Sequence, residues 1–122
     1  MNDPEEAEYR LLEGAVESWI PLWEAVWILR PLLPGQPDID IVPSARGLLS
    51  SLVDQGRIYI AWLSDDGAES IEEVVRRDDI GEALSVPANW QPKGAISEPY
   101  LVMAATSLGR ERYEALLRTH RP

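Results

Sequence analysis

The stretch that most constrains the fold of this chain runs from residue 43 to residue 63, with the sequence PSARGLLSSLVDQGRIYIAWL. Its first half carries apolar residues at spacings of three and four, which predicts one buried face of an amphipathic helix. That face comprises Ala45, Leu48, Leu49, Leu52 and Val53. Gly56 then occupies a position where a glycine in the left-handed conformation commonly ends a helix. The residues from 57 to 63 are rich in β-branched and aromatic side chains and predict a strand that follows the helix directly.

Two more helices are predicted ahead of this stretch. The first is expected from Asp3 to about Ser18, because an acid and a proline open it and apolar residues then recur at helical spacing. Pro21 disfavours helical backbone at the residue before it and so separates this helix from a second one that ends at Arg30. Residues 31–42 include three prolines and are predicted to be a connector.

The second half of the chain is predicted to contain one more strand and two more helices. Residues 64–84 begin with a turn signal, Asp-Asp-Gly, and continue into a short helix with Ser70 and Glu73 as its capping box. Residues 100–106 are predicted to form the second strand, and residues 110–119 the last helix. The predicted order is therefore three helices, a strand, an acidic segment, a strand and a helix.

This order resembles the winged helix-turn-helix superfamily. The resemblance rests on W-I-P-L-W between the first two helices, A-R-G-L-L-S-S-L-V-D-Q-G-R-I-Y-I in the third helix and strand, and Y-L-V-M-A-A-T-S-L-G-R-E-R-Y near the end. More narrowly, the chain is similar to small uncharacterised winged-helix-like proteins of high-GC actinobacteria. The resemblance implies an α+β fold with three N-terminal helices, a β-hairpin wing with a long acidic insertion, and a C-terminal helix, in one domain over residues 1–122. It also implies a short strand near Ile20.

The charge of the chain indicates which kind of partner it could bind. The sequence has 21 acidic residues against 11 lysines and arginines, and a formal net charge of −10 at pH 7. Because DNA is a dense line of negative charge, so acidic a chain would need its few cations gathered on one face to bind it. We therefore expect a non-enzymatic protein that binds a basic partner, such as a toxin (which would make this chain an immunity protein or antitoxin), a nucleic-acid-binding protein or another subunit of a complex. The acidic segment supplies the predicted partner-binding residues Asp65, Asp66, Glu69, Glu72, Glu73, Asp78 and Asp79.

A DNA-binding transcriptional regulator is the alternative that the resemblance implies. In a DNA-binding winged helix the third helix enters the major groove, where arginine reads guanine and small hydroxyl side chains reach base edges or phosphates. The long connector and the acidic segment count against this alternative. A homodimer is left open, and so is whether Trp23 and Trp27 belong to the core or to an interface. The residues predicted to contact DNA in this case are Arg46, Ser50, Ser51 and Arg57.

The sequence contains none of the patterns that commonly carry catalysis or hold a cofactor. It has no cysteine, and its single histidine, His120, lies two residues from the end. A glycine-rich phosphate loop, a paired-histidine zinc motif and a nucleophile elbow are all missing. No apolar run approaches the roughly 20 residues that span a bilayer, and the acidic N-terminal residues do not form a signal peptide. We therefore expect no cofactor, no metal, no membrane association and a cytoplasmic location.

Overall fold

The computed structural model describes residues 4–65, 69–92 and 99–120. Within these residues the chain forms an α+β fold with five α-helices and one four-stranded antiparallel sheet. The helices are α1 (Pro4–Glu17), α2 (Leu22–Leu29), α3 (Asp38–Asp54), α4 (Ile80–Ser85) and α5 (Ser107–His120). The strands are β1 (Ile20–Pro21), β2 (Ile58–Asp65), β3 (Glu69–Val74) and β4 (Tyr100–Ala105). Short 3₁₀ helices cover residues 30–32, 77–79 and 87–90.

The sheet has the strand order β1-β4-β2-β3, so β4 and β2 lie inside it. β4 pairs antiparallel with β1 on one side and with β2 on the other. The strands predicted at residues 57–63 and 100–106 are therefore both present, and they pair with each other. The short strand expected near Ile20 is present as β1.

The main core lies between one face of the sheet and the helices. α3 contributes the face predicted from its spacing, because Ala45, Leu49 and Leu52 have at most 1% of their surface exposed. Leu48 and Val53 are only partly buried and pack against the edge of the same core. The other helices and strands supply further buried side chains, among them Leu11, Leu12, Leu22, Leu29, Ile58, Ile60, Leu101 and Met103.

The prediction of a short helix beginning at Ser70 is wrong. Residues 69–74 form β3 instead, which pairs antiparallel with β2 and places Glu73 opposite Trp62. A capping box is a local signal of four residues, whereas pairing with β2 satisfies a whole row of backbone groups at the edge of the sheet. The helix of this segment comes later, as α4.

The connector between the second and third helices is shorter than predicted, because α3 already begins at Asp38. Residues 38–42 are helix, and Pro43 lies exposed inside α3. A proline there removes one backbone hydrogen bond, which is why the sequence pattern predicts a break. The first turn gains stability elsewhere: its two aspartates sit at the positive end of the helix, and Arg30 binds both carboxylate oxygens of Asp38 at 3.0 and 2.7 Å.

α5 begins at a junction that joins two distant parts of the chain. The Thr106 hydroxyl donates to the Gly56 carbonyl at 2.6 Å and accepts from the Gly109 N–H at 3.1 Å, so it caps α5. The Thr106 N–H donates to the Arg57 carbonyl at 3.0 Å. Gly56 has a φ of 71°, which confirms its predicted role at the end of α3. These hydrogen bonds hold the turn between α3 and β2 against the start of α5.

Candidate functional site

A cleft with acidic walls opens between the β2–β3 hairpin and α4. We call it the acidic cleft; its volume is about 400 Å³. Glu73 and Asp79, two of the predicted partner-binding residues, lie in it. The segment predicted to bind a partner therefore forms a concave surface. The full lining consists of Trp62, Glu73, Val75, Arg76, Asp79, Glu82, Ala83, Val86 and Asn89.

Part of the lining of the acidic cleft is apolar. Trp62, Val75 and Ala83 are half-buried there. Val86 keeps 41% of its surface exposed. Because Trp62 comes from β2 and Val86 follows α4, the sheet and the helical segment both contribute to this apolar part.

Two hydrogen bonds hold the wall formed by α4 and the 3₁₀ helix that follows it. The Asn89 side-chain amide donates to the Ala83 carbonyl, and the Trp90 indole N–H donates to the Leu84 carbonyl, both at 2.8 Å. Trp90 is itself buried, as is Leu84. These contacts anchor the wall of the acidic cleft in the core.

The electrostatics of the acidic cleft favour a cation. Glu73, Asp79 and Glu82 are exposed, and none of them forms an ion pair with another residue in the described part of the chain. Arg76 is the one cation of the lining. Three carboxylates against one guanidinium leave a formal excess of two negative charges.

The other predicted acids lie around the hairpin. Asp78 is exposed in the 3₁₀ helix before α4. Asp65 ends β2 and pairs in register with Glu69 at the start of β3, and Glu72 lies within β3. Asp66 lies outside the described residues.

The prediction of the site did not include Trp62, Glu82, Val86 or Asn89. Glu82 belongs to the predicted acidic segment, and its charge is the signal that could have identified it as a site residue. Trp62 faces Glu73 only because β3 pairs with β2, and the sequence pattern of β3 indicates a helix. For Val86 and Asn89 no local signal exists, because their place in the cleft depends on how α4 packs.

The residues of the DNA-binding alternative do not form a basic surface within the ranges that the structure describes. Arg46 and Ser51 are exposed on α3, and Ser50 is half-buried. Arg57 has its guanidinium against the carboxylate of Glu8. Of the two arginines predicted to contact DNA, Arg46 is therefore the one that is exposed.

Glu8 is a buried acid that binds two arginines. Only 7% of its surface is exposed, and its carboxylate accepts from Arg57 at 2.5 Å and from Arg112 at 2.9 Å. We call these three residues the Glu8 cluster. It ties α1 to the turn before β2 and to α5, and a carboxylate so poorly hydrated needs such partners.

No metal centre accompanies the acidic cleft: in residues 4–65, 69–92 and 99–120, no group of three or more histidine, aspartate or glutamate side chains could hold a metal ion. Across the same ranges, no helix combines the length and the apolar character needed to cross a bilayer. The chain matches no protein-family model, and neither a curated protein nor a solved structure is significantly similar to it.

Proposed function

We propose that this chain is a non-enzymatic winged-helix protein that binds a basic protein partner through the acidic cleft. The observation that carries the proposal is a cleft whose lining combines apolar side chains with three carboxylates that have no ion-pair partner among the described residues. A lysine or arginine side chain matches this surface, because its stem is apolar and its head is cationic. Suitable partners are a basic toxin, for which the chain would serve as immunity protein or antitoxin, a nucleic-acid-binding protein, or a basic subunit of a complex.

The order and pairing of the elements support the winged-helix part of this proposal. When β3 and α4 are set aside, the order is α1, β1, α2, α3, β2, β4 and α5, and the sheet order is β1-β4-β2. In a winged helix, a short strand likewise follows the first helix, and a β-hairpin follows the third. β3 and α4 are then an insertion in the wing, and this insertion builds the acidic cleft.

An arginine of the partner would make two kinds of contact in the acidic cleft. Its planar guanidinium would stack on the Trp62 indole, since cations are attracted to the face of an aromatic ring. Its N–H groups would donate to the carboxylates of Glu73, Asp79 or Glu82 in charge-assisted hydrogen bonds. Beyond these contacts, the net charge of −10 would attract a basic partner and speed its association.

We expect a hexa-arginine peptide, with acetylated and amidated ends, to bind the protein in calorimetric titrations. The triple variant Glu73→Gln/Asp79→Asn/Glu82→Gln should bind it about tenfold more weakly, because three surface charge pairs at about 0.5 kcal/mol each amount to about 1.5 kcal/mol. Titrations are run near physiological salt, where distant charges are screened.

The matched control removes the same three charges away from the acidic cleft. Glu17→Gln/Glu111→Gln/Glu114→Gln neutralises exposed acids on α1 and α5. It should change the affinity by less than about twofold, because none of the three lines the acidic cleft and salt screens distant charges. If both triple variants lost affinity equally, net charge alone would explain the loss, and the acidic cleft would not be the binding site. Binding of random-sequence duplex DNA at the same salt concentration would favour the DNA-binding alternative instead.

A further inference from the structure

A second groove, separate from the acidic cleft, lies between α2, the first half of α3 and the 3₁₀ helix at residues 87–90. Its volume is about 430 Å³. We call it the indole groove, because Trp23, Trp27 and Trp90 line it. Much of the remaining wall is apolar and includes Ile39, Val42, Pro43 and Pro87.

The three indoles are held to different degrees. Trp90 is 6% exposed and hydrogen-bonded to the Leu84 carbonyl, and Trp23 packs on the Tyr100 ring with the ring centroids 5.2 Å apart. Trp27 is 45% exposed at the rim, and Ile39 on the α3 side is 78% exposed. Trp90 and Trp23 are therefore held by contacts within the protein, whereas Trp27 and Ile39 expose apolar surface at the groove.

Unlike the acidic cleft, the indole groove has no excess of negative charge, because its lining holds one arginine and one aspartate. Arg46 lines the groove and forms no ion pair with any residue that the structure describes. Asp38 is the one acid in the lining, and Arg30 binds both of its carboxylate oxygens. With that acid neutralised, the guanidinium of Arg46 is the charge that a ligand would meet.

We infer that the indole groove binds an aromatic organic acid, with its ring among the tryptophans and its acid group at Arg46. The volume lies within the range of about 300–1,000 Å³ that is usual for ligand pockets. Aromatic rings pair favourably with indoles, and a guanidinium presents a fork of donors that fits the two oxygens of a carboxylate. A basic peptide, by contrast, would meet the like charge of Arg46. This site and its ligand are independent of the proposed function, so each can fail without the other.

Two fluorescent probes with the same ring system test the inference. The anion 8-anilinonaphthalene-1-sulfonate presents a sulfonate in place of a carboxylate, and N-phenyl-1-naphthylamine is its neutral counterpart. In Arg46→Gln we expect the affinity for the anion to fall about tenfold, since a hydrogen bond to a charged group contributes that much, and the affinity for the neutral probe to stay unchanged. Trp27→Ala should weaken both probes. 1-Naphthoate should displace the anion more effectively than 1-naphthamide does.

The matched control is Arg118→Gln, which removes an exposed arginine from α5 and should leave both affinities unchanged. Thermal unfolding followed by circular dichroism verifies that every variant is folded. The inference is overturned if the parent binds neither probe, if Arg46→Gln binds the anion as well as the parent does, or if Arg118→Gln weakens it equally. A parent dimer that binds no probe and dissociates in Trp27→Ala would instead identify the groove as an interface between two copies.

Discussion

Replacing Gly109 with alanine is expected to lower the free energy of unfolding by about 3–5 kcal/mol, which is a large loss for one methyl group. An ideal Cβ at this position would lie 1.9 Å from the Arg57 carbonyl oxygen and 2.9 Å from its carbonyl carbon. Backbone atoms cannot rotate away as a side chain does, so α5 would have to move off the turn before β2. That movement would break the hydrogen bonds by which Thr106 caps α5 and holds Gly56 and Arg57.

Urea unfolding of Gly109→Ala measures this loss, and Gly47→Ala is its matched control. Gly47 also lies in a helix, but a Cβ added there meets nothing within 4 Å. Alanine at this exposed position should raise the free energy of unfolding by about 0.5–1 kcal/mol, because glycine is unfavourable inside a helix. If both variants unfolded at the same urea concentration, the close approach of α5 to the Arg57 carbonyl would be wrong.

Glu8→Gln is expected to destabilise the protein by about 3–5 kcal/mol, because it leaves two arginines facing each other without a carboxylate between them. Glu8 is only 7% exposed, and its two carboxylate oxygens bind Arg57 and Arg112 separately. The glutamine side chain has nearly the same volume, so the loss measures charge and hydrogen bonding rather than a cavity. The free energy of unfolding from urea titration is again the measurement.

An exposed ion pair provides the comparison for Glu8. Arg77 contacts the Asp54 carboxylate at 3.3 Å, and their side chains are 65% and 69% exposed. Asp54→Asn should therefore cost less than about 1 kcal/mol, as is usual for surface ion pairs. A loss for Glu8→Gln no greater than that for Asp54→Asn would show that the Glu8 cluster contributes little to the fold.

The parts of the fold that depend on local pattern can be predicted from the sequence. The spacing within residues 45–53 identifies the buried face of α3, and composition identifies β2 and β4. β3 cannot be predicted in this way, because its residues carry a capping-box signal and become a strand only where β2 offers an edge. The start of α3 likewise depends on Arg30, which reaches Asp38 across the connector.

The charge of the candidate site follows from the sequence, but its shape does not. The acids of the sequence identify Glu73 and Asp79, whereas Trp62 and Val86 come to line the same cleft only through the fold, since Trp62 is in β2 and Val86 follows α4. The Glu8 cluster is harder still to predict, since Glu8 is 49 residues from Arg57 and 104 residues from Arg112. Contacts between residues so far apart in the sequence leave no periodic residue pattern from which they could be predicted.

β3 is the outer strand of the sheet, with no further strand beyond it among the residues that the structure describes. An edge of this kind is a template on which another chain can add a strand. β3 includes Glu69, Glu72 and Glu73, and like charges brought opposite one another in a shared sheet repel. These three glutamates therefore oppose the stacking of copies of this protein into fibrils. Under the proposed function Glu73 would also attract the cationic partner, so neutralising it would lower both the affinity and the resistance to aggregation.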